Sequence, residues 1–328
     1  MRRLNRLILP CFAAVLLITS LPALAQPKPP AWPARPVTLI IPLTSGGPGD
    51  REFRPYQEKL LASLGQPFVL DFKPGANTVL GNGYVARSKP DGHTWLLSAS
   101  GLAIIPAFTP DLPYDTLKDL APVSILTKRA MMLMVRTSLP VNTYQEYIAY
   151  ARANPGQLNW GSAARGGVTH LVGAWLHQAT NTEVTFIHYK GSAPYVIDLI
   201  AQRIDVAAIS LATGAPQIKA GKFRALALMT GHRIPAMPDL RTVAEMGIPD
   251  YEYPSWLGVL GPAGTPPAII NRFSEALAKA VKSPDLAASL EKDAITAVGS
   301  TPEEFRATLT REVTHWKKLV SDLKIEAE

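Results

Sequence analysis

Two short stretches hold the residues best suited to chemistry. Pro42-Leu43-Thr44-Ser45-Gly46-Gly47-Pro48-Gly49-Asp50 follows an apolar, β-branched run and precedes a helical pattern at 51–64. Gly161-Ser162-Ala163-Ala164-Arg165-Gly166-Gly167-Val168-Thr169-His170 likewise follows a strand pattern (158–160) and precedes a helix (169–180). In each, small residues let backbone N–H groups converge without Cβ obstruction, and a helix start leaves its first N–H groups unpaired and partly positive. Hydroxyls stand beside them at Thr44, Ser45, Ser162 and Thr169. The chemistry this allows is anion capture. A helix end contributes roughly 0.3–1 kcal/mol to holding a carboxylate, up to ~2 when partly buried. Two such ends plus direct hydrogen bonds bring micromolar binding, about −8 kcal/mol, within reach without a metal.

Each side chain also has a plainer reading. Asp50 is either the N-cap of its helix or a cleft residue that fixes the turn or accepts from a ligand. Arg165 is either a solvated loop charge or the partner of a second carboxylate. His170 is either a capping or packed histidine or part of the binding wall. His170 and His177 fall near one helix face, but no carboxylate or third histidine accompanies them, so no metal and no cofactor is expected.

Other functions lack their residues. There is no G-x-S-x-G elbow, Ser45 and Ser162 have no histidine–acid pair in a hydrolase order, and H-E-x-x-H is absent. An exported hydrolase is therefore the weak alternative, and no enzymatic activity is expected. Neither glycine turn carries the Lys-Ser/Thr of a phosphate-binding loop. The charge is +7, from 33 Lys+Arg and 26 Asp+Glu, scattered with no basic block and interleaved aromatics, so nucleic acid is not an expected partner.

The elements that must position these turns alternate along the chain. Strand patterns at 37–41, 68–72, 93–98, 131–135, 158–160, 184–188, 205–209 and 225–229 are interleaved with helical patterns at 78–88, 143–154, 169–180 and 192–202. That alternation predicts βα units and parallel sheets. From 267 on, helices dominate, at 267–282, 285–293 and 302–323. About 300 residues is long for one doubly wound sheet, and no flexible linker separates two halves. Two domains joined by crossing strands are expected, with crossings near 124–129 and 253–260: domain 1 at 32–128 plus 255–328, domain 2 at 129–254. Such a pair leaves a cleft at the carboxyl ends of both sheets.

The N-terminus reads as a secretory signal at 1–25. Arg2, Arg3 and Arg6 form a basic region, an apolar run follows to Ile18, and Ala23-Leu24-Ala25 fits the cleavage rule. Cleavage near Ala25 leaves 30 Lys+Arg against 26 Asp+Glu, a charge of +4 that suits an anionic ligand. It also removes Cys11, the only cysteine, so the exported chain has no thiol chemistry. The expected location is the periplasm.

With the turns placed, the chain resembles the Bug-type extracytoplasmic solute-binding receptors of tripartite tricarboxylate transporters. The resemblance rests on ordered motifs: Arg35-Pro36-Val37 before the first turn, Pro74-Gly75-Ala76, Pro90-Asp91-Gly92, Leu112-Pro113-Tyr114-Asp115, Tyr189-Lys190-Gly191-Ser192-Ala193-Pro194, Pro262-Ala263-Gly264-Thr265-Pro266 and Gly299-Ser300-Thr301-Pro302-Glu303-Glu304-Phe305. It implies a type II periplasmic-binding-protein fold, two doubly wound α/β domains that close on a carboxylate. By position it implies one wall from Thr44, Ser45, Gly46, Gly47 and Asp50. The other wall comes from Ser162, Ala163, Ala164, Arg165, Thr169 and His170, with further contacts at Ser100 and Ser210. The implied partners are a small organic acid and the membrane subunits of a transporter, the receptor itself being a monomer; a ligand sensor feeding a signalling partner is the alternative. The chain departs from the family pattern at Ala164-Arg165, Gly167-Val168, Ala174 and Leu102-Ala103, where polar residues are usual. An acid with a larger or aromatic body, or a dicarboxylate, is the ligand this lining favours.

Overall fold

The structure, a computed structural model, describes residues 32–46, 48–292 and 294–325. The secretion signal expected at 1–25 and Gly47 lie outside the described residues. The chain first lays down β1 (Val37–Ile41), α1 (Pro48–Leu64), β2 (Phe68–Phe72), α2 (Val79–Ala86), β3 (Thr94–Ala99), α3 (Gly101–Phe108) and β4 (Leu120–Arg129). It continues with β5 (Met131–Arg136), α4 (Tyr144–Ala153), β6 (Asn159–Ser162), α5 (Val168–Thr180), β7 (Thr185–His188), α6 (Ser192–Ile200), β8 (Val206–Ser210), α7 (Leu211–Lys219) and β9 (Phe223–Leu228). It returns with β10 (Trp256–Pro262), α8 (Pro267–Val281), α9 (Pro284–Lys292), β11 (Ile295–Ala297) and α10 (Pro302–Leu323).

Two sheets result, ordered β11-β4-β10-β3-β1-β2 and β7-β6-β8-β5-β9. Helices cover both faces, which is why β10 is buried throughout and β4 and β5 over nearly their whole length. The expectation of parallel sheets holds for β1, β2 and β3 and for β6, β7 and β8. The strands entering from the other sheet run the opposite way: β10 is antiparallel to β3 and β4, and β5 to β8 and β9. The cause is where the chain crosses. Only Ala130 separates β4 from β5, and Met131 pairs with Ser210 at the carboxyl end of β8. A strand entering a sheet at its carboxyl edge has to run toward the amino edge. The return does the same, Leu257 pairing with Ala99 at the carboxyl end of β3. The carboxyl edges of both sheets thus meet the same crossing.

From Trp32 on, the chain forms one compact unit. Its largest apolar cluster runs from Ile40 and Leu96 of the first sheet through Leu133 and Trp160 of the second to Phe305 and Trp316 of α10. α10 packs along α3 and reaches α5, where Trp316 meets Trp175 edge-on at 6.0 Å. Its start is secured by a capping box: the Glu304 N–H donates to Thr301 Oγ1 (3.1 Å) and the Thr301 N–H to Glu304 Oε2 (2.9 Å).

α3 and α7 were not expected from the sequence. Each carries an internal proline, Pro106 and Pro216, which reads as a helix breaker. Both helices are short, and burial of Leu102, Ala103, Ile104 and Ile105 in α3, and of Leu211 and Gly214 in α7, outweighs the lost backbone bond.

Candidate functional site

The first turn is held from below by one carboxylate. Asp50 is the third residue of α1, whose first position is Pro48, a residue suited to a helix start because it has no N–H to leave unpaired. Asp50 is therefore not the N-cap. Its Oδ2 accepts the Gly46 N–H at 2.8 Å and the Ser45 hydroxyl at 3.3 Å, and Arg54 Nε approaches its Oδ1 at 2.7 Å. Burial works against the charge on Asp50, but the Gly46 bond and the Arg54 guanidinium outweigh it and hold the carboxyl below the usual range. With Asp50 buried, Thr44, Ser45 and Gly46 stand exposed, and Gly46 takes φ 77°, where glycine fits without strain. Arg54 was not singled out from the sequence, although its i+4 spacing from Asp50 is the signal that finds it.

The second turn is built by its own polar side chains. Thr169 Oγ1 accepts the Ala163 N–H at 2.8 Å, and His170 Nδ1 accepts the Gly166 N–H at 3.0 Å. Both side chains are buried and committed to the loop's shape. The Nδ1 bond assigns the proton of a neutral His170 to Nε2. Burial, followed by the charges of His188 and Arg165, pushes the His170 pKa down to about 4, so the ring is neutral at neutral pH. Ser162 is fully buried, its hydroxyl 2.6 Å from Nδ1 of His188, the residue beside it in the parallel β6–β7 register. His188 was missed in the sequence; only strand register brings it to Ser162. The rings of His170, Phe186 and His188 pack under the turn, with centroids 4.6 Å apart for His170–Phe186 and 4.8 Å for His170–His188.

What the second turn offers outward is backbone and apolar surface. Ala164 and Arg165 are exposed and Ala163, Gly167 and Val168 half-buried. The N–H groups of Val168 and Thr169 open α5 ahead of its first bond, the His170 N–H to Gly167 C=O at 3.0 Å. His177, about two helical turns beyond His170 along α5, goes elsewhere: Tyr147 hydroxyl lies 3.1 Å from its Nε2 and Thr182 Oγ1 2.7 Å from its Nδ1. Among the described residues no group of three His, Cys, Asp or Glu side chains is placed to hold a metal ion.

Ser100 and Ser210 both flank the crossing. Ser100 is buried and donates its hydroxyl to Pro254 C=O at 2.6 Å, while its N–H donates to Trp256 C=O at 3.2 Å, so it ties the end of β3 to the returning chain. Ser210 is the N-cap of α7, accepting the Thr213 N–H at 3.4 Å. The Leu211 N–H next to it donates to Ala130 C=O at 2.9 Å. At the same crossing Glu52 of α1 pairs with Arg129 and accepts the Thr127 hydroxyl at 2.7 Å, and Arg129 N–H donates to Ser255 C=O at 3.1 Å. The helix that starts at the first turn is thus tied to the crossing strands.

The second turn also touches the first sheet's layer directly. A Cβ built on Gly166 would lie 3.3 Å from Cζ of Phe108, the last residue of α3. Phe108 was not anticipated, because the helix that carries it was not.

Comparison with known proteins agrees with this architecture. Residues 52–325 match the family described as the tripartite tricarboxylate transporter family receptor. BugT of Bordetella pertussis is 32% identical over 293 residues, covering 89% of this chain and 90% of that protein. Rpa4515 of R. palustris, solved with adipate, is 32% identical with a TM-score of 0.75, covering 90% of this chain and 100% of that one. MatC of Rhodopseudomonas palustris, solved with bound malate, is 26% identical with a TM-score of 0.70, covering 88% of this chain and 99% of that one. The family match takes in β2 through β11, the crossing and the second turn: the chain belongs to the tripartite tricarboxylate transporter receptor family of periplasmic solute-binding proteins.

Proposed function

We propose that this receptor captures the carboxylate of a small organic acid between the turn at 42–50 and the turn at 161–170, and delivers it to the membrane subunits of its transporter. The acid carries an apolar or aromatic body or a second carboxylate, the latter meeting Arg165. Thr44, Ser45, Gly46 and Gly47 bind on one side. The N–H groups of Ala164, Val168 and Thr169 bind on the other, with Asp50, Ser162, Thr169 and His170 holding the walls in shape and Ser100 and Ser210 lining the base. The two sheets act as lobes, 32–128 plus 255–328 and 129–254, that close on the anion because only the closed form lets both turns touch it. The chain is exported after cleavage near Ala25 and works as a monomer without cofactor or catalysis.

The observation that carries this reading is the single-residue crossing at Ala130, with Ser210 on one side and Arg129, Ser255 and Ser100 on the other, at the carboxyl edge of each sheet. α/β proteins bind ligands at that edge. Two similar proteins were solved with adipate and with bound malate, each a dicarboxylate. Calorimetry of the chain from Gln26 onward with adipate, malate, benzoate and terephthalate is the test, followed by X-ray scattering of the saturated protein. At least one acid is expected to bind with a Kd near micromolar and to shrink the radius of gyration. Binding by none of the acids, or tight binding with no contraction, contradicts the reading.

A further inference from the structure

The seat of Phe108 on the second turn decides more than packing. Gly166 is buried at φ 68°, and the space its missing Cβ leaves is filled by the ring: the three nearest atoms to such a Cβ are Cζ at 3.3 Å and the two Cε atoms at 3.5 Å. Phe108 is itself half-buried, at the carboxyl end of α3, whose Leu102, Ala103, Ile104 and Ile105 anchor it in the core. The second turn offers apolar surface at Ala163, Ala164 and Val168 and one charged side chain, Arg165. The exposed hydroxyls, Thr44 and Ser45, belong to the first turn.

An acid held by the second turn's N–H groups therefore has hydroxyl partners toward the first turn and an aromatic ring beside the second. Carbon placed against that ring loses water contact, which is favourable in proportion to the apolar surface removed from water. A hydroxyl placed there loses a hydrogen bond to water and gains none from the ring.

We propose that Phe108 is the specificity-determining side chain of this site, selecting carboxylates with an aromatic or extended aliphatic body over short hydroxylated ones. The inference rests on the carboxylate reading above and names the ligand class within it. α3 positions the ring, and Gly166 is the gap that lets it sit on the turn.

Titration of the wild type, Phe108→Ala and Phe108→Leu with adipate, terephthalate and malate tests it, with melting temperatures recorded to confirm that each variant is folded. The wild type is expected to bind adipate or terephthalate at least tenfold more tightly than malate. Phe108→Ala is expected to lose that preference, weakening the apolar-bodied acids tenfold or more and malate by less than twofold. Phe108→Leu, which keeps apolar volume without a ring, is expected to retain adipate and lose terephthalate. An equal loss on all three acids, or unchanged adipate and terephthalate binding in Phe108→Ala, overturns the role of Phe108 while leaving the carboxylate site standing. A wild type that binds malate best also overturns it, and one that binds none of the acids overturns both readings.

Discussion

Asp50 shows how a buried charge can shape a turn while leaving the turn's outer face to others. Its carboxylate is buried under the first turn, taking up the Gly46 N–H and the Ser45 hydroxyl, so the turn keeps its exposed face clear of negative charge. Asp50→Ala removes a charge-assisted hydrogen bond, worth about 1.5–3 kcal/mol, and frees the turn. Urea unfolding is expected to show a loss of about 1–2 kcal/mol, since the Arg54 side chain is more than half exposed and its share is screened. Acid binding is expected to weaken alongside. The Asp50 carboxyl is held below its unfolded value, so its contribution is present above about pH 4 and disappears as the pH falls through the folded pKa. Thr169 and His170 follow the same pattern in the second turn, their polar atoms spent on Ala163 and Gly166. The sequence named these side chains as candidate ligand contacts, and the structure spends their polar atoms on the turns' own backbone. That they aim inward could not be read there, because orientation follows from the backbone path of the closed loop.

At the scale of elements, the crossing strands carry the design. β10 lies buried between β3 and β4, and Gly258 within it lets α10 approach. A Cβ at Gly258 would fall 2.7 Å from two ring atoms of Phe305 and 3.2 Å from the Ser124 carbonyl oxygen. Overpacking of that kind costs about 1–3 kcal/mol. Gly258→Ala is expected to lower the unfolding free energy measured in urea by that amount, seen as a lower midpoint, and to push α10 off the strand, with a drop in the near-ultraviolet signal of Trp256, which meets Phe305 edge-on at 5.0 Å. An unchanged midpoint would mean that α10 does not pack here. The βα units on either side were legible from periodicity, since β1, β2, β6 and α5 alternate apolar runs with turn residues. α3 and α7 were not, because Pro106 and Pro216 signal a break that burial overrides.

For the whole molecule, the junction of α10 with the returning chain makes stability pH-dependent. Glu312 Oε2 accepts the Trp256 indole N–H at 2.8 Å. Burial pushes the Glu312 pKa up to about 7; Glu252 adds to the rise, while the Trp256 bond, Arg311 and Lys128 oppose it. A carboxyl raised in the folded state favours folding below its unfolded pKa, and that contribution is lost as the pH climbs through about 7. His170, pushed down to about 4, works in the opposite direction: it costs stability as the pH falls from about 6.5 toward 4. Glu312→Gln keeps an oxygen for Trp256 and removes the titration. It is expected to gain about 1–3 kcal/mol at pH 8 and little at pH 5, measured by urea unfolding at both. A gain of the same size at both pH values would show that the carboxyl does not titrate in this range.

The sequence by itself determined the alternation of strands and helices, the two glycine-bearing turns at strand ends and the family. All of these follow from local periodicity and residue type within windows of a few to twenty residues. The tertiary structure alone decided which way the strands run where the chain crosses, that Ser162 meets His188, that Ser100 is tied to Pro254, and that Phe108 rests on Gly166. These pairs are separated by 26 to 154 residues. Contacts at that range are set by strand register and by the burial of whole faces, and neither is encoded at any one position.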